Sequence, residues 1–198
     1  MSDEYEGDIL LGLGRNLTRG RDPYSDSSFG YAPRDAVIKD EKGKIVEIVR
    51  GSIFPADWGE NASNTATTKY FRRADVPGTG REVDIRQMAG RVGRKIAQWG
   101  VVQGYFDERV AKVLEEELVA STVLQHGAFN SPVWFNLGLD FYGLNRPDEN
   151  FYVDTDGKPK QAANLYEHPQ VSACFISSPR DSIRDMIQVG AVTSSIIF

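Results

Sequence analysis

The chain is poor in the residues that build metal centres and disulfides. It has one cysteine, Cys174, and two histidines, His126 and His168, in 198 residues. One thiol cannot close a disulfide within its own chain, and two distant histidines do not make a metal-ligand set, so no metal site is expected. No apolar run reaches the roughly 18 residues of a membrane-spanning helix. The acidic start "MSDEYEGDILLGLGRN" lacks the basic and apolar regions of an export signal. A reducing cytoplasmic setting is the expectation. A net charge of −5 argues against a nucleic-acid partner, which calls for a basic face. "GLG" at 12–14 and "PGTG" at 77–80 complete neither a dinucleotide fingerprint nor a phosphate loop, and read as turns. There is no internal repeat and no low-complexity tract.

What is present divides into three stretches. Residues 1–34 are rich in Gly, Ser, Asp and Arg and read as an extended arm. Residues 35–128 hold a hairpin and a helical domain. "AVIKDEKGKIVEIV" at 36–49 has two β-branched runs around a turn at Asp40–Gly43. Residues 55–80 are polar and read as irregular. Next, Ile85, Met88, Ala89, Val92, Ile96 and Trp99 fall at helical spacing, with Asp84 as N-cap and Gly100 as stop. Gly90 and Gly93 weaken this helix by roughly 1 kcal/mol each but permit close packing. A second helix is capped by Asp107 and closed by Gly127. Its inner stripe is Val110, Val113, Leu114, Leu118, Ser121 and Leu124 or Gln125, which completes a helical hairpin. Residues 129–198 are aromatic and turn-rich, then strand-like. A strand, a turn around Thr155–Gly157 and a return are expected, then a strand "VSACFI" at 171–176, then a helical start at "DSIRDMI" capped by Asp181 or Ser182. Helices followed by strands imply an α+β or α/β fold. The apolar end "GAVTSSIIF" reads either as an element docked in a core or as a chain cut within a larger fold.

Two residues stand out chemically. Ser131, in "NSP", precedes Pro132 and is therefore biased toward an extended conformation. Its hydroxyl would either face a ligand from a rigid turn or bond its own backbone. In "VSACFI", alternation puts Ser172, Cys174 and Ile176 on one face. Cys174 there is either a small buried hydrophobe or a reactive thiol.

"NSPVWFN" at 130–136 and "YEHPQVSACFISS" at 166–178 resemble the N-terminal part of the adenosylcobalamin (vitamin B12)-dependent class II ribonucleotide reductases. "RDPY" at 21–24, "KYFRRADVP" at 69–77 and "QGYFDE" at 103–108 fit the same family in the same order. The resemblance implies a mainly helical N-terminal domain leading into a ten-stranded α/β barrel. It implies reduction of ribonucleotides to deoxyribonucleotides by a thiyl radical, generated with adenosylcobalamin, that abstracts the 3′ hydrogen. Two further cysteines become a disulfide, and Cys174 matches the N-terminal member of that pair. Ser131 would contact the substrate, and Ala173 and Cys174 would line its ribose. The radical cysteine, the second reducing cysteine, the catalytic Asn and Glu and the C-terminal redox cysteines of the family lie downstream of the matching motifs. The resemblance thus implies a chain inactive without a C-terminal portion, which joins a ribonucleotide and a thioredoxin-type reductant as partners. It leaves a homodimer open. The rival reading is a non-catalytic nucleotide-binding or assembly module of the same fold.

Overall fold

The computed structural model describes residues 13–145, 151–153, 156–174, 178 and 180–187. The first layer is an antiparallel hairpin of β1 (Tyr31–Lys39) and β2 (Ile45–Pro55), longer at both ends than the sequence pattern predicts. Its turn is set by Asp40, whose carboxylate accepts from the backbone N–H groups of Lys42 and Lys44 at 2.9 and 2.8 Å. Asp35 occupies a bulge, where it accepts from the N–H of Gly51 at 2.9 Å.

Residues 55–80 are not irregular throughout. Helix α1 (Glu60–Thr65) runs straight into a π turn over Ala66–Tyr70. The sequence conceals this because the residues α1 buries are small and scattered among polar ones. "PGTG" does form a turn, closed by Val76 and Gly80 bonding each other's backbones.

The helical hairpin follows as α2 (Ile85–Val102) and α3 (Glu108–Val123). Asp84 caps α2, and Gln87 accepts from the N–H groups of Val83 and Asp84 at 2.8 and 3.1 Å, which completes a capping box. Asp107 caps α3 through the N–H of Val110 at 2.9 Å. Gly93 lets the helices approach: a Cβ there would lie 3.2 Å from the carbonyl of Glu115. Gly90 faces the ring of Tyr24. Gly100 does not stop α2. It lies inside the helix, where the ring of Phe106 occupies the space of a side chain, and the helix ends at Val102.

The inner face of α3 keeps Val110 and Val113 of the predicted stripe but departs from it toward the C-terminal end. Val119, Ala120, Val123 and Glu116 are buried, Leu114 and Leu118 are half-buried, and Leu124 and Gln125 are exposed. The segment taken for an arm covers part of this helix. Residues 15–24 dock on α3 through its three consecutive glutamates. Arg15 pairs with Glu116; Glu117 accepts from the N–H groups of Leu17 and Thr18 at 2.8 and 3.0 Å; Tyr24 donates to Glu115 at 2.6 Å. Residues 1–12 of the expected arm lie outside the described residues.

The core gathers Phe54, Trp58, Phe71, Ile85, Met88, Val92, Val119, Val123, Trp134 and Leu137. Phe54 stacks on Phe71 at 5.4 Å, and the Trp58 indole donates to the carbonyl of Val123 at 2.7 Å. Beyond α3 lie the short helix α4 (Ser131–Asn136) and a small hairpin of β3 (Phe151–Val153) and β4 (Pro159–Gln161). The expected strand–turn–return is thus present, with Gly157 at φ 72° in the turn and Thr155 outside the described residues. The fold is mixed α/β. Its sheets among the described residues are two separate antiparallel pairs, and no closed barrel is formed by them. Residues 183–187 are helical, with the Ser182 hydroxyl accepting from the N–H of Asp185 at 3.2 Å. The apolar end lies outside the described residues.

Candidate functional site

Helix α4 carries Ser131, and the chain spends several polar contacts to fix it. Asn130 is the extended residue (φ −66°, ψ 161°), and its side chain accepts from the N–H of Val133 at 3.2 Å. Ser131 is therefore the first helical residue, not an extended one as its place before Pro132 predicts. Asn130 supplies the cap, and Pro132 falls in the first turn, where a missing N–H leaves no intrahelical bond unmade. Trp134 is buried and meets Phe129 edge-on at 5.4 Å.

The C-terminal end of α4 is held from α2. Arg91 donates to the carbonyls of Leu137 and Trp134 at 2.5 and 2.6 Å. The same guanidinium donates to Glu82 at 2.7 Å. Glu82 also accepts from the Arg72 N–H at 2.7 Å and from the Tyr142 hydroxyl at 2.6 Å. Burial, reinforced by the Glu82 charge, pushes the Tyr142 hydroxyl well above its ordinary pKa. One turn further, Lys95 pairs with Asp140 at 2.7 Å. Sequence reasoning missed this network. The available signal was Arg91 and Lys95 sharing a helical face with Met88, Val92 and Trp99, because a cation on a buried face must have a partner.

Helix α4 is also tied to the segment that holds Cys174. The Asn136 side chain donates to the carbonyl of Gln170 at 2.9 Å, and Val171 packs against the core. The two runs "NSPVWFN" and "VSAC" are thereby joined. Val171–Cys174 is not a strand, however; Phe175 and Ile176 lie outside the described residues. Ala173 and Cys174 are exposed, so the buried-thiol alternative does not hold in this chain. No neighbouring strand among the described residues covers the thiol.

Ser131 lies at the other end of α4 from Asn136. Its Oγ lies 3.3 Å from the Tyr70 hydroxyl. Beside it runs an open apolar groove of about 520 Å³, lined by Trp58, Ala62, Tyr70, Met88, Thr122 and Trp134 among others. A second groove of about 660 Å³ crosses the α2–α3 face and carries Arg94, Lys112, Glu115 and Glu116. No group of three potential metal ligands occurs among the described residues. His168 stacks on Tyr152 at 3.7 Å, and His126 follows α3 at the surface. No helix among the described residues is long and apolar enough to cross a membrane.

Comparison with known proteins places this arrangement. The profile of the class II vitamin B12-dependent ribonucleotide reductases matches residues 32–125, from the first hairpin through α3. A vitamin B12-dependent ribonucleotide reductase of Rhodopirellula baltica is 37% identical over 182 residues, covering 90% of this chain and 17% of that protein. Its counterpart in Agrobacterium fabrum is 31% identical over 215 residues, with 90% and 16% covered. That of Streptomyces avermitilis is 33% identical over 174 residues, with 87% and 15% covered. The chain spans about a sixth of the length of these relatives. By its sequence, the chain belongs to the class II vitamin B12-dependent ribonucleotide reductase family.

Proposed function

We propose that this chain supplies the substrate-side wall of a ribonucleotide reductase, with Cys174 as one of the two thiols that donate electrons. In the overall reaction the ribose 2′ C–O bond breaks and the hydroxyl leaves as water. The two electrons come from Cys174 and a second cysteine, which become a disulfide; of their two thiol hydrogens, one leaves with the hydroxyl as water and the other accounts for the new C2′–H bond. A thioredoxin-type reductant restores the thiols. Such a pair needs its Cα atoms about 5.5 Å apart, so the second cysteine must come from outside this chain. Ser131 contacts the substrate, and Ala173 lines the ribose beside Cys174.

The observation that carries the reading is the Asn136–Gln170 bond, which makes α4 and the Cys174 segment one unit within a family member. The exposed apolar residues Phe151, Val153, Ile183, Met186 and Ile187 support a further portion that packs against residues 151–187. Cobalamin is the cofactor of the relatives by their names. A corrinoid with its nucleotide tail exceeds the roughly 300–1,000 Å³ of a drug-sized pocket. The two grooves described above do not fit it, so the cofactor's site lies mostly in the remainder of the reductase.

The test is to assemble this chain with the remainder of the reductase, adenosylcobalamin, a ribonucleotide and a thioredoxin-type reductant. Deoxyribonucleotide forms over many turnovers with the native chain and not with Cys174→Ser. Equal sustained turnover by Cys174→Ser would refute the role of the thiol. Tight nucleotide binding by the chain alone, with no gain of turnover on assembly, would favour the non-catalytic module instead.

A further inference from the structure

The geometry points to Tyr70 as the positioning residue for Ser131, an inference that rests on Ser131 being a substrate contact. Tyr70 grips α4 at two points. Its hydroxyl is 3.3 Å from Ser131 Oγ, and its ring stacks on Phe135 at 5.5 Å between centroids and 26° between planes. Ser131 and Phe135 are four residues apart, so they lie on one face of α4. One side chain thus contacts both ends of that face. A serine hydroxyl has staggered χ1 wells and a freely rotating O–H, so a fixed partner is what orients it. Among the described residues the Tyr70 hydroxyl is the side-chain partner that Ser131 Oγ meets.

The backbone explains why a tyrosine reaches this place. The N–H of Phe71 bonds the carbonyl of Ala66 at 2.9 Å, five residues back. This π turn inserts one residue more per turn than an α-helix has, a feature found often at functional sites. Phe71 then enters the core against Phe54, while the adjacent Tyr70, half-buried, faces α4 and the rim of the apolar groove. Ala66 and Thr67 are buried and anchor the turn. The separation of 3.3 Å is long for two hydroxyls, for which about 2.7–2.8 Å is usual.

Kinetics of the assembled holoenzyme test the inference with Tyr70→Phe, Ser131→Ala and the double variant. Tyr70→Phe keeps the ring stack and removes only the hydroxyl, and thermal unfolding checks that folding is retained. The expected result is that Tyr70→Phe raises KM for the ribonucleotide about three- to tenfold, the range of one hydrogen bond, with little change in kcat. The double variant then matches Ser131→Ala alone. A structural role alone would lower the unfolding temperature without moving KM. If Ser131→Ala raises KM while Tyr70→Phe does nothing, or adds an independent effect, the positioning role is overturned and the substrate role of Ser131 stands. If Ser131→Ala leaves KM unchanged, the substrate role itself fails and takes the positioning role with it.

Discussion

Arg91 and Glu82 form an ion pair at 2.7 Å with side chains only 2% and 0% exposed. The pair joins the start of α2 to the end of α4, because Arg91 also holds the Trp134 and Leu137 carbonyls. Removing one partner of a buried pair leaves the other charge uncompensated, at a cost of about 3–5 kcal/mol. Arg91→Met and Glu82→Gln are each expected to destabilise the chain by about that amount in urea unfolding. The double variant loses less than the sum, since the penalty is shared. Strictly additive losses would mean that the two side chains act independently.

Gly138 makes the approach of α4 to α2 possible. Its φ is 76°, and a Cβ there would overlap the Arg91 carbonyl. Gly143 has a similar φ of 72° but open space around it. Gly143→Ala therefore pays only left-handed strain, about 1–2 kcal/mol. Gly138→Ala pays that strain plus a backbone clash, about 1–3 kcal/mol more. Equal unfolding free energies for the two variants would contradict the packing described.

The helical hairpin was legible because Ile85, Met88 and Val92 repeat at the helical period and Asp84 and Asp107 are short acidic caps. The docking of residues 15–24 was not legible, because three glutamates on α3 look like a solvated face until Arg15, Thr18 and Tyr24 meet them. The π turn was hidden for a related reason: Tyr70 and Phe71 point to different neighbours, which no single period encodes. "NSP" and the run around the lone Cys174 were paired through resemblance, not through any local pattern. Their physical link, Asn136 to Gln170, is a side chain bonding to backbone 34 residues away and leaves no local pattern.

Alkaline pH should destabilise the fold. Burial raises the hydroxyls of Tyr24, Tyr31 and Tyr142, with Glu115 adding to the shift at Tyr24 and Glu82 at Tyr142, while Arg86 opposes it at Tyr31. Below the unfolded value, about pH 10, both states keep these protons and stability is level. Above it the unfolded chain releases protons that the folded chain retains, so stability falls as pH rises. Tyrosinate absorbance from these three residues should appear together with unfolding. Their full ionisation in a still-folded chain would contradict the burial.

The Asn136–Gln170 bond should govern the order of the Cys174 segment. Asn136→Ala removes about 1 kcal/mol of local stabilisation. Amide exchange at Val171 and Ser172 is expected to quicken about fivefold, with no change at Val119 in the core of α3. Unchanged exchange at both would show that Val171 packing alone holds the segment.

The most direct measurement is the state of Cys174 after a single turnover of the assembled reductase without external reductant. Peptide mass analysis should find Cys174 in a disulfide with a cysteine of the remaining portion, in amounts matching the deoxyribonucleotide formed. A free Cys174 thiol after stoichiometric product formation would contradict the account.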